Sequence, residues 1–259
     1  MELTIYQIDA FASKPFEGNP AAVCPLNEWL PDELLQSIAS ENNLSETAYF
    51  VKNSTSYHVR WFTPAHEVDL CGHATLASAY VIFNILGNNE NVILFESKSG
   101  LLTVKRNNNL LEMDFPSQPP VNCEIPQQIL EAFDESPVEC LQSEDYIIVF
   151  ENEEAVLNAN PKLSLLSELD LRGVAITSKS DKYDFITRFF APKYGINEDP
   201  VTGSAFTQLI PYWANKLNKQ SLSAKQVSKR GGEIECVYSG DRVLISGKAA
   251  KYMAGTIEI

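Results

Sequence analysis

The sequence has few basic residues for its length. It carries 20 Lys and Arg against 34 Asp and Glu in 259 residues, which gives a formal net charge of −14. The phosphates of nucleic acids and the surfaces of anionic membranes repel such a chain, so we expect neither as a partner. A negatively charged substrate would need local hydrogen-bond donors, because the overall charge does not attract it.

Long apolar runs and paired cysteines are also missing. No stretch approaches the roughly 20 apolar residues that span a bilayer, and residues 1–4 lack the basic start of a signal peptide. Five cysteines, an odd count without a CxxC pair, favour reduced thiols and a cytoplasmic location. The three histidines lack zinc-finger or HExxH spacing, and no Walker A or GxGxxG motif is present. We therefore expect no metal and no cofactor.

What the sequence does contain is an internal repeat. Residues 59–64 read Val-Arg-Trp-Phe-Thr-Pro, and residues 187–192 read Thr-Arg-Phe-Phe-Ala-Pro. After each stretch comes a loop with an Asp, and then a glycine, Gly72 or Gly203, that opens a predicted helix. The two arginines lie 188 − 60 = 128 positions apart, close to half the chain. Agreement in order, residue type and spacing predicts two similar halves.

The predicted elements follow one order in both halves: strand, short helix, two strands, loop, helix and hairpin. We expect the opening strands at 3–10 and 146–150, and the short helices at 31–40 and 161–169. The segment 116–126 is rich in proline and is the predicted linker, so the halves are residues 1–117 and 118–259. The last strand, 252–259, stays in the second half or crosses back to the first.

The two helices that follow the glycines predict a binding site. Residues 73–86 are apolar or small on all sides, which indicates a helix buried inside a sheet that wraps around it. The matching helix, 204–217, contains Pro211, which we expect to kink the helix or end its first part. If the halves face each other, the helix starts at Gly72 and Gly203 offer unpaired N–H groups to a carboxylate.

Three side chains are candidates for the chemistry. Glu46 precedes an apolar strand and could act as a general acid and base, whereas the matching positions 171–173 carry no carboxylate. His73 could exchange hydrogen bonds with a substrate, and Asp199 could orient His73 or a substrate amine. Each has an ordinary alternative, namely a solvated loop Glu, a satisfied core His, and a turn or capping Asp.

Cys71 directly precedes Gly72 and opens further alternatives. A thiol at a helix start can act as a base, but a two-base racemase needs a second cysteine at Val201 or Thr202, where none is present. A small buried residue is therefore the favoured interpretation of Cys71. A racemase or epimerase that uses Cys71 with Glu46 stays open, as does a non-catalytic binding or adaptor protein on the same fold.

Five motifs together resemble the PhzF family of phenazine biosynthesis-like proteins. They are FASKPFEGNPAAV at 11–23, LSET at 44–47, RWFTP at 60–64, DLCGHAT at 69–75 and DPVTGSA at 199–205. The resemblance covers essentially the whole chain. It implies an α+β fold like that of diaminopimelate epimerase, in which two pseudo-symmetric halves each wrap a curled, mostly antiparallel sheet around a central helix. The family places its site between these halves.

The resemblance also implies a reaction. The best-understood branch of the family isomerises dihydro-3-hydroxyanthranilate without a cofactor, and a glutamate moves the proton. Motif matching implies Glu46, His73 and Asp199 as catalytic residues and Asn19, Gly72, Gly203 and Ser204 as substrate-binding residues. Members of the family are commonly dimers. We therefore expect a homodimeric isomerase that acts on a small metabolite bearing a carboxylate.

Overall fold

The computed structural model describes residues 1–259, which group into two compact units. The first unit contains Met1–Asp114 together with Ser246–Ile259, and the second contains Phe115–Ile245. The predicted boundary after residue 117 thus lies 117 − 114 = 3 residues beyond the first stretch. The sequence does not decide which half contains the final strand. In the structure this strand pairs along its length with the first strand of the chain.

The first stretch of the first unit contains eight strands and two helices. Their bounds are β1 Glu2–Ala10, β2 Asn19–Leu26, α1 Asp32–Asn42, β3 Glu46–Lys52, β4 Tyr57–Phe62, β5 Glu67–Val68, α2 Gly72–Tyr80, β6 Val92–Ser97, β7 Gly100–Asn107 and β8 Leu110–Pro116. Strand β1 pairs antiparallel with β2, and β2 runs parallel to β3. Strand β3 is antiparallel to β4, β4 is parallel to β6, and β6 is antiparallel to β7.

The second unit repeats this pairing pattern. Its elements, followed by the final strand of the chain, are β9 Val121–Asn122, α3 Gln127–Ala132, β10 Glu139–Gln142, β11 Tyr146–Val149, α4 Glu153–Leu157, α5 Leu163–Leu166, β12 Val174–Lys179, β13 Phe185–Ala191, β14 Ile196–Asp199, α6 Gly203–Leu217, β15 Ser221–Gln226, β16 Gly232–Ser239, β17 Arg242–Gly247 and β18 Ala249–Glu258. Antiparallel and parallel pairs alternate along six of these strands in the same order as in the first unit. The strands are β10, β11, β12, β13, β15 and β16, which correspond to β1, β2, β3, β4, β6 and β7.

The predicted fold class is confirmed, although one equivalence in the prediction is wrong. The strand at Tyr146–Val149 corresponds to β2 and not to β1, because it is the strand that runs parallel to its successor. The strand of the second unit that corresponds to β1 is instead the short β10, which pairs antiparallel with β11. Strand β2 escaped prediction because Pro20 and Pro25 lie within it, and proline is depleted in strands. The predicted helix at 161–169 is shorter and is preceded by α4.

Helix α2 is buried as its composition predicts. Its residues His73–Ala79 are all buried, and it packs against β1, β2 and β3. A π-helical turn at Val81–Ile85 continues α2, and the chain then leaves the helix through Gly87, whose φ of 72° suits a glycine. None of the α-helices in the structure is both long and apolar enough to cross a membrane.

Helix α6 runs without a break through Pro211, so the expectation that this proline ends its first part is wrong. Proline has no N–H, and the carbonyl four residues earlier, at Thr207, loses its usual helical donor. The backbone N–H of Gln118 donates to that carbonyl at 2.9 Å. The side chain of Gln118 also accepts a hydrogen bond from the Thr207 hydroxyl at 2.6 Å. The segment before α3 therefore compensates for the proline.

The two repeated arginines make the same contacts in their own units. Arg60 binds both carboxylate oxygens of Glu67 at 2.7 and 2.9 Å, and Arg188 binds both oxygens of Glu198 at 2.7 and 3.1 Å. Each guanidinium also lies 5.1 Å from the ring centroid of a phenylalanine on its own strand. The repeat therefore extends to the ion pairs, whose carboxylate partners the sequence comparison did not identify.

Candidate active site

Glu46 and His73 lie side by side in the first unit. Glu46 is the first residue of β3, and His73 is the second residue of α2. The Oε2 atom of Glu46 is 3.0 Å from Nε2 of His73, and the side chains are only 14% and 8% exposed. Neither atom has a hydrogen-bond partner of good geometry in the protein, so the close pair is not aligned as a hydrogen bond. Buried polar atoms of this kind are uncommon, which points to a ligand-binding role.

The other ring nitrogen of His73 faces Asn19 and Cys71. Its Nδ1 atom is 3.4 Å from Nδ2 of Asn19 and 3.6 Å from Sγ of Cys71. The Oδ1 atom of Asn19 accepts a hydrogen bond from the Ser45 hydroxyl at 3.2 Å, so the NH₂ group of Asn19 is directed at the imidazole. In neutral His73, Nδ1 therefore accepts this hydrogen bond and the proton resides on Nε2, facing Glu46.

The charge of His73 is set by opposing effects. Burial disfavours the imidazolium, whereas the negative forms of Cys71 and Glu46 favour it, and the pKa of His73 is raised well above its ordinary value. Burial and the Glu46 charge also raise the pKa of the Cys71 thiol to about 11. Because that thiol is neutral at neutral pH, Glu46 is the one of these two neighbours that opposes the effect of burial on His73 there.

The start of α2 adds a positive electrostatic contribution beside this pair. Helix α2 begins at Gly72 after Cys71, and its first turn contains no acidic residue. The partial positive charge of the helix start is therefore not offset within the turn, and the backbone N–H groups there favour an anionic group. Gly72 and His73 were both predicted to lie at such a start.

The second unit cannot carry a side chain at the position that matches Glu46. Tyr49 pairs with Arg60 in the first unit as Ile176 pairs with Arg188 in the second, so Glu46, three residues before Tyr49, corresponds to Gly173. A Cβ atom at Gly173 would lie 2.5 Å from the Phe189 ring and 2.8 Å from a backbone oxygen. The predicted absence of a carboxylate in the second half thus has a steric reason.

We expect Gly173→Ala to destabilise the protein by about 1–3 kcal/mol, because the added methyl group overpacks the core against a backbone oxygen. Urea unfolding measures the change. Gly255→Ala is the matched control, since a Cβ atom at Gly255 meets nothing within 4 Å. Equal midpoints for the two variants would contradict the steric explanation.

The predicted residues of the second unit form their own cluster. Asp199 ends β14, and its Oδ2 atom accepts a hydrogen bond of 2.5 Å from the Thr202 hydroxyl. The buried amide of Gln226 donates to the Asp199 carbonyl at 2.8 Å and accepts from the Thr202 N–H at 2.8 Å. Gln226 therefore fixes the loop before Gly203, where α6 begins, also without an acidic first turn.

The predicted site residues are divided between the two units. His73 contacts both Asn19 and Glu46 in the first unit, beside Gly72 at the start of α2. Asp199, Gly203 and Ser204 belong to the second unit. Sequence reasoning missed Ser45 and Gln226 as supports, because a hydrogen bond to a residue 24 or more positions away leaves no local pattern. The functional roles of all these residues stay predictions.

A metal could in principle be held by the first cluster. A carboxylate oxygen of Glu46, the sulfur of Cys71 and a ring nitrogen of His73 lie within 4.8 Å of one another. The thiolate is the form of cysteine that binds metals, so a metal at this cluster would have to displace the Cys71 proton, which burial helps to retain.

Comparison with known proteins identifies the family. The PhzC-PhzF family, described as phenazine biosynthesis-like protein, matches residues 8–255. The chain belongs to this family. An uncharacterized isomerase of Pseudomonas aeruginosa is 52% identical to it over 259 residues, which is 100% of both chains. The protein is an isomerase.

Solved structures agree with this assignment. The crystal structure of a PhzF family protein from Enterococcus faecalis is 45% identical, with a TM-score of 0.98 over 100% of both chains. A hydroxyproline epimerase from Agrobacterium vitis has a TM-score of 0.61 over 99% of this chain and 92% of its own, at 8% identity. The second likeness shows the fold alone.

Proposed function

We propose that this PhzF family isomerase moves a proton within a small carboxylate-bearing metabolite by means of Glu46. The observation that carries the proposal is the buried Glu46–His73 pair, whose facing atoms are 3.0 Å apart and have no aligned hydrogen-bond partner. Glu46 would take a proton from one carbon of the substrate and return it to another. No net redox change occurs, so an isomerisation of this kind requires no electron carrier.

His73 would balance the changing charge of Glu46. A protonated imidazole beside the carboxylate stabilises its negative form before proton abstraction, and it can donate to the substrate as charge develops. Asn19, oriented by Ser45, would donate to Nδ1 when the imidazole is neutral, whereas Nδ1–H of the imidazolium would face Sγ of Cys71 at 3.6 Å. Removing this support would leave the general base in place but would misorient its partner.

The carboxylate of the substrate would be held by backbone N–H groups at helix starts. We assign this role to Gly72 and His73 at α2 and, from the family resemblance, to Gly203 and Ser204 at α6. Asp199 would orient the amine or hydroxyl group of the substrate. Such sites bind an anion without a basic side chain, which suits a chain with a net charge of −14.

The candidate substrate is dihydro-3-hydroxyanthranilate, as the family resemblance implies. Incubation of the purified protein with this compound, followed by chromatography of the products, tests the proposal. The expected result is an isomer that does not form without protein. Binding without turnover, over a panel of small amino and hydroxy acids as well, would favour the adaptor alternative. The homodimer also remains a prediction, which light scattering can check.

Cys71 is a poor candidate for the base, since burial raises the pKa of its thiol to about 11. We expect Cys71→Ala to retain turnover within about tenfold of the wild type, because a general base contributes roughly 10²–10⁴-fold. Steady-state kinetics on the same substrate measure the effect. A loss as large as that of a Glu46 variant would instead support the one-thiol racemase or epimerase mechanism.

A further inference from the structure

Two cysteines of the second unit face each other across a pair of strands. Cys123 directly follows β9, and Cys140 is the second residue of β10. The register pairs Asn122 with Leu141, so Cys123 lies opposite Cys140. The backbone N–H of Cys123 donates to the Cys140 carbonyl at 3.0 Å, and the two Sγ atoms are 3.3 Å apart.

This placement suits a covalent bond between the sulfurs. Residues directly opposite each other in antiparallel strands have Cα atoms about 4.5–5.5 Å apart. Disulfides form when this distance is roughly 4.4–6.8 Å. The thiols of Cys123 and Cys140 already touch, so a small side-chain rotation brings the sulfurs to bonding distance without a change in strand pairing.

We propose that Cys123 and Cys140 form a reversible disulfide when the protein encounters hydrogen peroxide. Cys123 is only partly buried, whereas the other four cysteines are buried. Peroxide oxidises the Cys123 thiolate to a sulfenic acid and is itself reduced to water. Cys140 then attacks the sulfenic sulfur, and a second water leaves. Two thiols and one peroxide thus give one disulfide and two waters.

The order of these steps follows from the environments of the two thiols. Cys140 is buried, and burial raises the pKa of its thiol, so Cys140 reacts slowly with an oxidant in solution. Once Cys123 carries the sulfenic acid, Cys140 is held in contact with it. The attack of Cys140 on the sulfenic sulfur is then fast because the two groups are in contact, although the Cys140 thiol itself is weakly reactive.

The bond would close a loop that contributes to the core of the second unit. The loop contains α3, whose Ile129 and Ala132 pack in the same hydrophobic cluster as Cys140. The disulfide would also fix the chain shortly after Gln118, whose N–H donates to the Thr207 carbonyl that Pro211 leaves without a helical donor. Closing a loop in the unfolded chain stabilises the folded state, so we expect the oxidised protein to melt several degrees higher than the reduced protein.

The test treats reduced full-length protein with hydrogen peroxide and counts free thiols in denaturant. We expect five thiols to fall to three, the intact mass to decrease by two hydrogens, and a linked peptide to contain Cys123 and Cys140. Dithiothreitol should restore all thiols and the original melting temperature. Cys123→Ser and Cys140→Ser should each keep four thiols or gain oxygen, and neither should show the rise in melting temperature.

Three results would overturn the proposal. They are retention of all thiols by the wild type, irreversible addition of oxygen at Cys123 without a link, and a disulfide that joins other cysteines or two chains. A folded Cys140→Ser variant that still loses two thiols would equally contradict the assignment. None of these results depends on the proposed isomerase reaction, because no assay of turnover is involved.

Discussion

Replacing Glu46 with glutamine is expected to lower kcat/KM by about 10²–10⁴-fold, because the amide cannot accept and return a proton at neutral pH. The side chain keeps its size and its place at the start of β3. The substitution also removes the charge that lies 3.0 Å from Nε2 of His73 and favours its imidazolium, so we expect a modest fall in melting temperature as well. Turnover is therefore compared at a temperature at which both proteins are folded.

Two further variants make this result specific. Glu46→Asp retains the carboxylate but moves it by one methylene group, so we expect an intermediate loss of turnover. Glu41→Gln removes the same charge from an exposed position of α1 and should leave turnover unchanged. Normal turnover by Glu46→Gln on a substrate that the wild type isomerises would remove Glu46 from the mechanism.

The largest expected effect on stability comes from Asp145. This residue is fully buried, and its carboxylate accepts hydrogen bonds from Arg172 at 2.9 and 2.6 Å and from Gln208 at 2.6 Å. The Gln208 side chain in turn accepts from the Asp145 N–H at 3.0 Å. Asp145→Ala leaves a largely buried guanidinium without its main partner, and we expect a loss of about 3–5 kcal/mol.

Glu144 provides the matched control for this prediction. Its carboxylate contacts the same Arg172 at 3.2 Å, but its side chain is 42% exposed. Solvent screens such a pair, so Glu144→Ala should cost no more than about 1 kcal/mol. Urea unfolding of both variants gives the comparison. Similar losses for the two would show that burial of Asp145 does not determine the strength of this network.

The sequence predicts the repeat and the central helices because these features are local. The aromatic strand with its arginine, the loop and the glycine before each helix are short patterns, and they recur after 128 positions (188 − 60). The all-apolar composition of α2 predicts its burial on every side. Glu46 and His73 could be selected as candidates on the same basis, since each has a recognisable position relative to a strand or a helix.

The features that the sequence does not predict depend on contacts between distant parts of the chain. The proline-containing β2 is a strand because β1 and β3 pair with it on both sides. Helix α6 tolerates Pro211 because Gln118, far away in sequence, supplies the missing donor. The close approach of Glu46 to His73, and the support from Ser45 through Asn19, likewise arise only when β2, β3 and α2 are packed together.

The role of Glu46 can be measured by following the proton that it transfers. The wild type and Glu46→Gln are incubated with dihydro-3-hydroxyanthranilate in deuterated water, and the position of deuterium in the product is read by NMR. With the wild type we expect deuterium at the carbon that receives the proton, because Glu46 exchanges its proton with solvent. With Glu46→Gln we expect no labelled product above background. Labelled product formed at the wild-type rate by Glu46→Gln would contradict this role of Glu46.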